Sequence, residues 1–158
     1  MSLTIREAQP GEAGIVHSFV YKLAEYEKLA SEVVATEANI HEALFGATPR
    51  CVCDLAFWNG EPVGFALWFY NFSTFSGKAG IYLEDLFVEP HLRGHGIGKA
   101  LLRHLAQRCV KGGLRRLQWW VLDWNKPSID FYKSIGAEAQ DEWTVFRVSG
   151  EALQRLAQ

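Results

Sequence analysis

Apolar positions along the chain recur with two periods, and the switches between them mark out the elements. Residues 3–8 alternate as Leu3-Thr4-Ile5-Arg6-Glu7-Ala8, the period of a first strand. After the Pro10-Gly11 break, Ile15, Phe19, Leu23 and Tyr26 lie on one helical stripe, which predicts a helix over 13–29. Ile40, Ala43 and Leu44 repeat that spacing after Thr36, predicting a second helix that ends before Gly46. Residues 51–58 read as a strand closed by Asn59-Gly60, a strong hairpin signal. Its partner, 62–72, is apolar nearly throughout, so it is expected to be central and covered on both faces. A polar turn over 73–80 leads to a strand at 81–88 and a helix at 96–111 that Gly112-Gly113 ends. A strand over 115–122 follows, then a short helix opened by Pro127 and stopped by Gly136. A closing strand at 143–148 and a terminal helix at 151–157 complete the order β-α-α-β-β-β-α-β-α-β. That order predicts an α/β (α+β) fold, a mixed sheet with helices on its faces, in a single domain over 1–158. Repeats, linkers and low-complexity segments are not apparent in it.

The chemistry concentrates in Ile81 to Leu102, IYLEDLFVEPHLRGHGIGKALL. An apolar strand carries one acidic pair, Glu84-Asp85. Pro90 follows, then Arg93-Gly94-His95-Gly96-Ile97-Gly98, and then a helix with Ile97, Leu101, Leu102, Leu105 and Cys109 in its stripe. A glycine-rich turn between strand and helix suits an anion, because its backbone can close on a phosphate and the first helical N–H groups point at it. Two familiar phosphate loops do not fit. A dinucleotide fingerprint needs G-x-G-x-x-G and an acid about 20 residues later, where Gln118 stands. A Walker loop needs a glycine where Arg93 stands and Ser or Thr where Ala100 stands. What fits is [R/Q]-x-x-G-x-[G/A].

Composition narrows the rest. At 158 residues and 49% hydrophobic the chain can bury a core, and none of its runs reaches the roughly 20 apolar residues of a membrane span. The first residues, MSLTIREAQPGE, do not read as a secretory signal. Three cysteines, an odd number, suggest reduced thiols in a cytoplasmic protein, and Cys51, Cys53 and the histidines lack metal-ligand spacing, so no metal is expected. A net charge of −2 gives no general attraction to nucleic acid. The distribution is uneven: residues 1–92 hold 12 acids and 5 bases, residues 93–158 hold 6 acids and 11 bases. A second half that meets a polyanion and a first half that meets a cation would account for that, as would chance.

Four separated blocks carry a resemblance that spans the chain: Lys22-Leu23-Ala24-Glu25-Tyr26-Glu27, Tyr82 to Val88, Arg93 to Gly98, and Trp124-Asn125-Lys126-Pro127-Ser128-Ile129-Asp130-Phe131-Tyr132-Lys133. In these the sequence resembles the GNAT acetyltransferases, and among them the spermidine/spermine (diamine) N-acetyltransferases and the related enzymes that acetylate thialysine. It departs from them in a shortened loop at Asp141-Glu142 and in lacking an insertion after Asn59. The resemblance implies a mostly antiparallel central sheet with helices on both faces, acetyl-CoA as cosubstrate, a small cationic amine as acceptor, no membrane partner, and a homodimer with the C-terminal strands near its interface. A di- or polyamine is the first acceptor expected and a thialysine-type amino acid the alternative. A non-catalytic CoA-binding sensor on the same fold is a further alternative, though it would have no need of both Glu84 and Tyr132.

Residue by residue, the resemblance implies a bulged strand whose backbone at Leu86, Phe87 and Val88 meets the acetyl group and pantetheine. The pyrophosphate goes to Arg93, Gly94, His95, Gly96, Ile97, Gly98 and Lys99, and Asn125 and Ser128 lie beside the adenosine and pantetheine arm. Asn125 would equally serve as a simple helix cap. Glu84 draws the proton from the amine, through water, and Tyr132 donates one to the leaving thiolate. A tyrosine, with an ordinary pKa of about 10, is protonated at neutral pH and suited to that task. Tyr26, Glu27, Glu84 and Asp85 form the substrate end. Trp119, Trp120 and Trp124 are expected in the core or along the cosubstrate wall.

Overall fold

In a computed structural model, residues 2–158 are described. They form two compact units, one running through Trp120 and the other from Val121 to Gln158.

The first unit is a five-stranded sheet in the order β1-β2-β3-β4-β5. Its strands are β1 (Leu3–Glu7), β2 (Val52–Trp58), β3 (Glu61–Ser73), β4 (Lys78–Val88) and β5 (Leu117–Trp119). The first three pairings are antiparallel and β4–β5 is parallel, so the sheet is mixed and mostly antiparallel, as the resemblance implied. The β2–β3 turn is the one its sequence announces: Asn59 and Gly60 both take positive φ, 50° and 85°, matching the twist of the flanking strands.

Helices cover both faces. On one lie α1 (Ala13–Tyr26) and α2 (Glu37–Phe45). Val16 and Phe19 of α1 and Leu44 of α2 enclose a core with Cys53, Leu55, Phe65, Leu67 and Phe87. Phe19 stacks on Phe65 at 5.7 Å between ring centroids and meets Phe87 at 6.0 Å. The start of α2 is set locally by a capping box, in which Thr36 Oγ1 accepts from the Asn39 N–H and Asn39 Oδ1 accepts from the Thr36 N–H. On the other face, α3 (Ile97–Gly112) buries Ile97, Leu101, Leu102, Leu105 and Cys109. The buried residues of α1 are Ala13, Val16, Phe19 and Ala24, so Phe19 of the expected stripe is buried while Val16 and Ala24 take the places of Ile15 and Leu23.

The α3 face also holds a buried polar network. Asp54 is fully buried; its Oδ1 accepts from Arg108 Nη2 at 2.9 Å and its Oδ2 from Trp68 Nε1 at 2.8 Å. His104 Nε2 comes within 3.5 Å of the same Oδ1. Asp54 thus ties β2 to β3 and to α3.

The second unit holds α4 (Lys126–Ser134) and α5 (Gly150–Leu156). Several expectations change. The strand expected over 115–122 forms only at Leu117–Trp119, and the helix expected over 13–29 ends at Tyr26, before the left-handed turn at Lys28. Residues 143–148 are not a strand: they pair with no described strand, and Trp143, Phe146 and Val148 are exposed. An alternating apolar pattern permits a strand, but only a neighbour's backbone makes one. The 73–80 turn shrinks to 74–77, since β3 and β4 run on as a long hairpin. That hairpin outruns the helices, so Tyr70 and Phe72 are exposed and only 63–68 of β3 are buried throughout. Trp120 and Trp124 are about half exposed, which removes the core placement of the two alternatives expected for them.

Candidate active site

The acidic pair sits where the ladder is irregular. Leu83 opposes Trp68 and Asp85 opposes Leu67, so Glu84 is the extra residue of a β-bulge. The bulge reverses the parity of β4. Before it, Ile81 and Leu83 share the face of Trp68, toward α3; after it, Asp85 and Phe87 share the face of Leu67 and Phe65, toward α1 and α2. The ladder to β5 also stops at Leu83, opposite Trp119. Among the described residues, 84–88 therefore have a β3 neighbour on one edge and no strand on the other. That is the splayed strand the resemblance implied, and its open edge carries backbone groups at Leu86 and Val88. The side chain of Phe87 is committed to the core against Phe19, leaving only its backbone for a ligand.

Glu84 is exposed on the bulge, whereas Asp85 is half-buried. Burial pushes the Asp85 carboxyl up to about 7, with help from the neighbouring charges of Glu84 and Glu27. Glu27, the C-cap of α1, is itself half-buried, and its carboxyl is raised by that burial. Tyr82 is pushed up to about 12 by burial and then by Glu84 and Asp85. The Cys51 thiol is raised by burial first and by Asp85 and Glu84 after it. The charges of Glu84 and Glu27 both act on Asp85, and Tyr26, the last residue of α1, directly precedes Glu27. Just past Glu27 the chain turns sharply: Lys28 takes φ 63°, and the Leu29 N–H reaches back to Ala24 O at 2.8 Å.

The glycine-rich turn follows. Gly94 and Gly96 have φ of 84° and 77°, in the left-handed region that favours glycine. A Cβ at either would meet nothing within 4 Å, so the space beside them is open. Gly96 is the N-cap of α3 and offers no side-chain acceptor to the first helical N–H groups. Such a cradle fits a pyrophosphate, held by backbone N–H groups and the helix dipole. Ile97 contributes backbone alone, its side chain being buried in the core, while Gly98 is half-buried and Lys99 exposed beside it. His95 is fixed by Nδ1 3.1 Å from Leu92 O and by an edge contact with Trp58. Arg93 turns away from the glycines: its Nε donates to Val88 O at 3.2 Å, and its guanidinium carbon lies 4.8 Å from the centre of the Tyr26 ring.

In the second unit, buried Asn125 is the N-cap of α4 and accepts from the Ser128 N–H at 3.4 Å, with Pro127 in the first turn. Capping is therefore its structural role, compatible with a further one. Tyr132 sits on α4, half-buried, its ring 5.7 Å from that of Phe131. No group of His, Cys, Asp and Glu suited to a metal ion occurs among the described residues. What the sequence reading missed is the reach of Arg93 toward α1, the Lys22–Glu89 ion pair beside it, and the separation of Glu84 from Asp85 onto different surroundings. The adjacency of two acids in an apolar strand was the signal for the last; the other two pair residues about 67 apart and left none.

A bulged strand, an adjoining anion cradle at a helix N-terminus and acidic residues at the end of α1 suit an enzyme that transfers an acyl group to an amine. The chain belongs to the acetyltransferase (GNAT) family, whose model matches residues 18–137. It is 40% identical to the thialysine N-epsilon-acetyltransferase of Bos taurus over 97% of this chain and 96% of that protein. It is 29% identical to a human spermidine/spermine N(1)-acetyltransferase-like protein 1, across 97% of this chain and 23% of that longer protein. Among solved structures, an integron cassette protein from the mobile metagenome of V. cholerae superposes with a TM-score of 0.84 at 28% identity, covering 100% of this chain and 99% of that one. The family transfers an acetyl group from acetyl-CoA to an amine, and this chain is an acyltransferase of that kind.

Proposed function

We propose that the acceptor is the terminal primary amine of a short aliphatic chain, with a thialysine-type amino acid ahead of a di- or polyamine. The full-length similarity to thialysine N-epsilon-acetyltransferases supports that order, which reverses the one read from the sequence. The observation that carries the acceptor class is the acidic field that Glu27 at the end of α1 and Glu84 on the bulge make around Asp85. It attracts an ammonium and includes a carboxylate whose pKa, about 7, suits taking a proton near neutrality. A polyamine stays as the second reading because three acids suit more than one positive charge.

In this reading Tyr26 and Glu27 orient the acceptor. Glu84 and Asp85 take the ammonium proton, Glu84 from the bulge through water and Asp85 from its half-buried site. Backbone N–H groups near Leu86 and Val88 face the acetyl oxygen and stabilise the charge that grows there. Residues 93–99 hold the pyrophosphate, and Asn125 and Ser128 lie along the rest of the cosubstrate. Tyr132 protonates the departing sulfur. Acetyl-CoA supplies the activated thioester. These roles require the two units to act as a single GNAT domain, which the family match across their boundary supports. We further propose a cytoplasmic homodimer. The free cysteines support the compartment, and the exposed apolar residues of 143–148 support the assembly. Initial rates with thialysine, lysine, putrescine, spermidine and spermine test the acceptor: kcat/KM should be highest for thialysine. A preference for spermidine or spermine would restore the polyamine reading, and activity with none of the five would overturn both.

A further inference from the structure

Helix α1 is fastened to the β4–α3 connection by contacts at regular spacing. Phe19 packs on Phe87, Lys22 Nζ donates to Glu89 Oε1, and Tyr26 lies under the Arg93 guanidinium at 4.8 Å. Lys22 and Tyr26 are four residues apart, so they share one face of the helix. Glu89 and Arg93 flank the short 3₁₀ turn Pro90–Leu92 that delivers the chain to the glycines. The far side of this arrangement is anchored as well, by Glu89 N–H to Val63 O at 2.8 Å and Arg93 Nε–H to Val88 O at 3.2 Å. The near side ends at Glu27, one residue after Tyr26 and immediately before the left-handed turn at Lys28.

We propose that Lys22–Glu89 and Tyr26–Arg93 form a two-rung clasp by which the pyrophosphate loop and the acceptor-binding end of α1 position each other. The proposal rests on the acceptor and cosubstrate reading above for what binds at each end. Arg93 begins the loop yet directs its side chain at α1, so it acts as a strut between the two ligand sites. A cosubstrate that orders residues 93–98 orders Arg93, and through the stacked ring it holds Tyr26 and Glu27 in place. Coupling of this kind is reciprocal between the two ligands, so a change on α1 that loosens the clasp weakens cosubstrate binding as well. Lys22 and Glu89 are positioning residues with the same logic one turn back. Lys22 is exposed and its pair is worth little alone, which is why the second rung matters.

The cross-effects give the test. CoA affinity is measured by calorimetry for Tyr26→Leu, Lys22→Met, Arg93→Met and the Tyr26→Leu/Arg93→Met pair. Hydrogen exchange of amides 24–29 is followed in ligand-free Arg93→Met. The clasp predicts that both α1 variants weaken CoA by about two- to fivefold, the scale of one exposed ion pair or cation–π contact. It predicts a non-additive double variant and faster exchange over 24–29 in Arg93→Met. Unchanged CoA affinity in both α1 variants, an additive double variant, or unaltered exchange overturns it. Lys22 is exposed and meets the core only through its ammonium, 5.7 Å from the centre of the Phe19 ring, so Lys22→Met tests the clasp without altering the Tyr26 ring site. Cross-effects that persist in a chain acetylating none of the amines above would support the clasp while sinking the acceptor reading.

Discussion

Asp85 links burial, charge and pH within a single side chain. Its ordinary carboxyl pKa of about 4 is raised in the folded chain to about 7, chiefly by burial. Between those values the folded state keeps a proton that the unfolded state has released, so the contribution of Asp85 to stability is fully present below about pH 4 and is lost as pH rises through about 7. Asp85→Asn should remove that slope: its urea midpoint should change less between pH 5 and 8 than that of the parent chain. Equal slopes in the two chains would show that Asp85 ionises freely. Tyr132 has a different signature. Tyr132→Phe keeps the ring and loses one hydroxyl, so kcat should drop by roughly 10²–10⁴-fold, the usual cost of a lost general acid, with the amine KM little changed. Raising the pH should not rescue it, because no donor replaces the hydroxyl; rescue at high pH would assign the proton elsewhere.

At the scale of elements, the bulge and the Asp54 network do complementary work. The bulge gives up one ladder position and in return turns Asp85 toward α1, at the place opposite Leu67 that Glu84 would take in an unbroken ladder. The network fixes α3 on the opposite face, through Arg108 and His104 one helical turn apart. Removing the carboxylate leaves the Arg108 charge without its partner and Trp68 Nε1 without an acceptor. Asp54→Ala should therefore cost about 3 kcal/mol, the low end for a broken buried pair because Arg108 is partly exposed. Adding Arg108→Met should recover only part, since the indole N–H stays unpaired. Chemical denaturation of the three chains measures this, and a loss under 1 kcal/mol for Asp54→Ala would show water entering to replace the carboxylate.

Each of the two units carries a local cluster of exposed apolar residues. Trp143, Val145, Phe146 and Val148 fall within six residues, and the outer β3–β4 hairpin adds Tyr70, Phe72 and Phe75. Exposed hydrophobics of this density mark surfaces that meet another chain. A dimeric mass is expected by light scattering at micromolar concentration, and Trp143→Ser with Phe146→Ser should shift it toward the monomer. A monomeric parent chain would end the dimer proposal. No helix among the described residues is long and apolar enough to cross a membrane.

Most of the elements were legible in the sequence because their causes are local. Asn59-Gly60 makes its own turn, Thr36 caps its own helix, and the stripe from Ile97 to Cys109 has one amphipathic solution. The glycine cradle was legible for the same reason, since Gly94 and Gly96 need only neighbouring residues to adopt positive φ. The strand expected at 143–148 failed because pairing is not local: alternation states which side chains could face a core, while a ladder needs a second backbone. Glu84 and Asp85 announced an acidic site, but their division between an exposed bulge and a half-buried face depends on the register with Leu67 and Trp68. Arg93 read as part of a phosphate loop, and only the fold, by bringing α1 alongside, set Tyr26 beneath its guanidinium. Sequence alone determined the turns, caps and amphipathic faces, which short-range sterics and hydrogen bonds decide. Register, burial and the raised Asp85 carboxyl belong to the tertiary structure, because each depends on groups that meet only when distant segments pack.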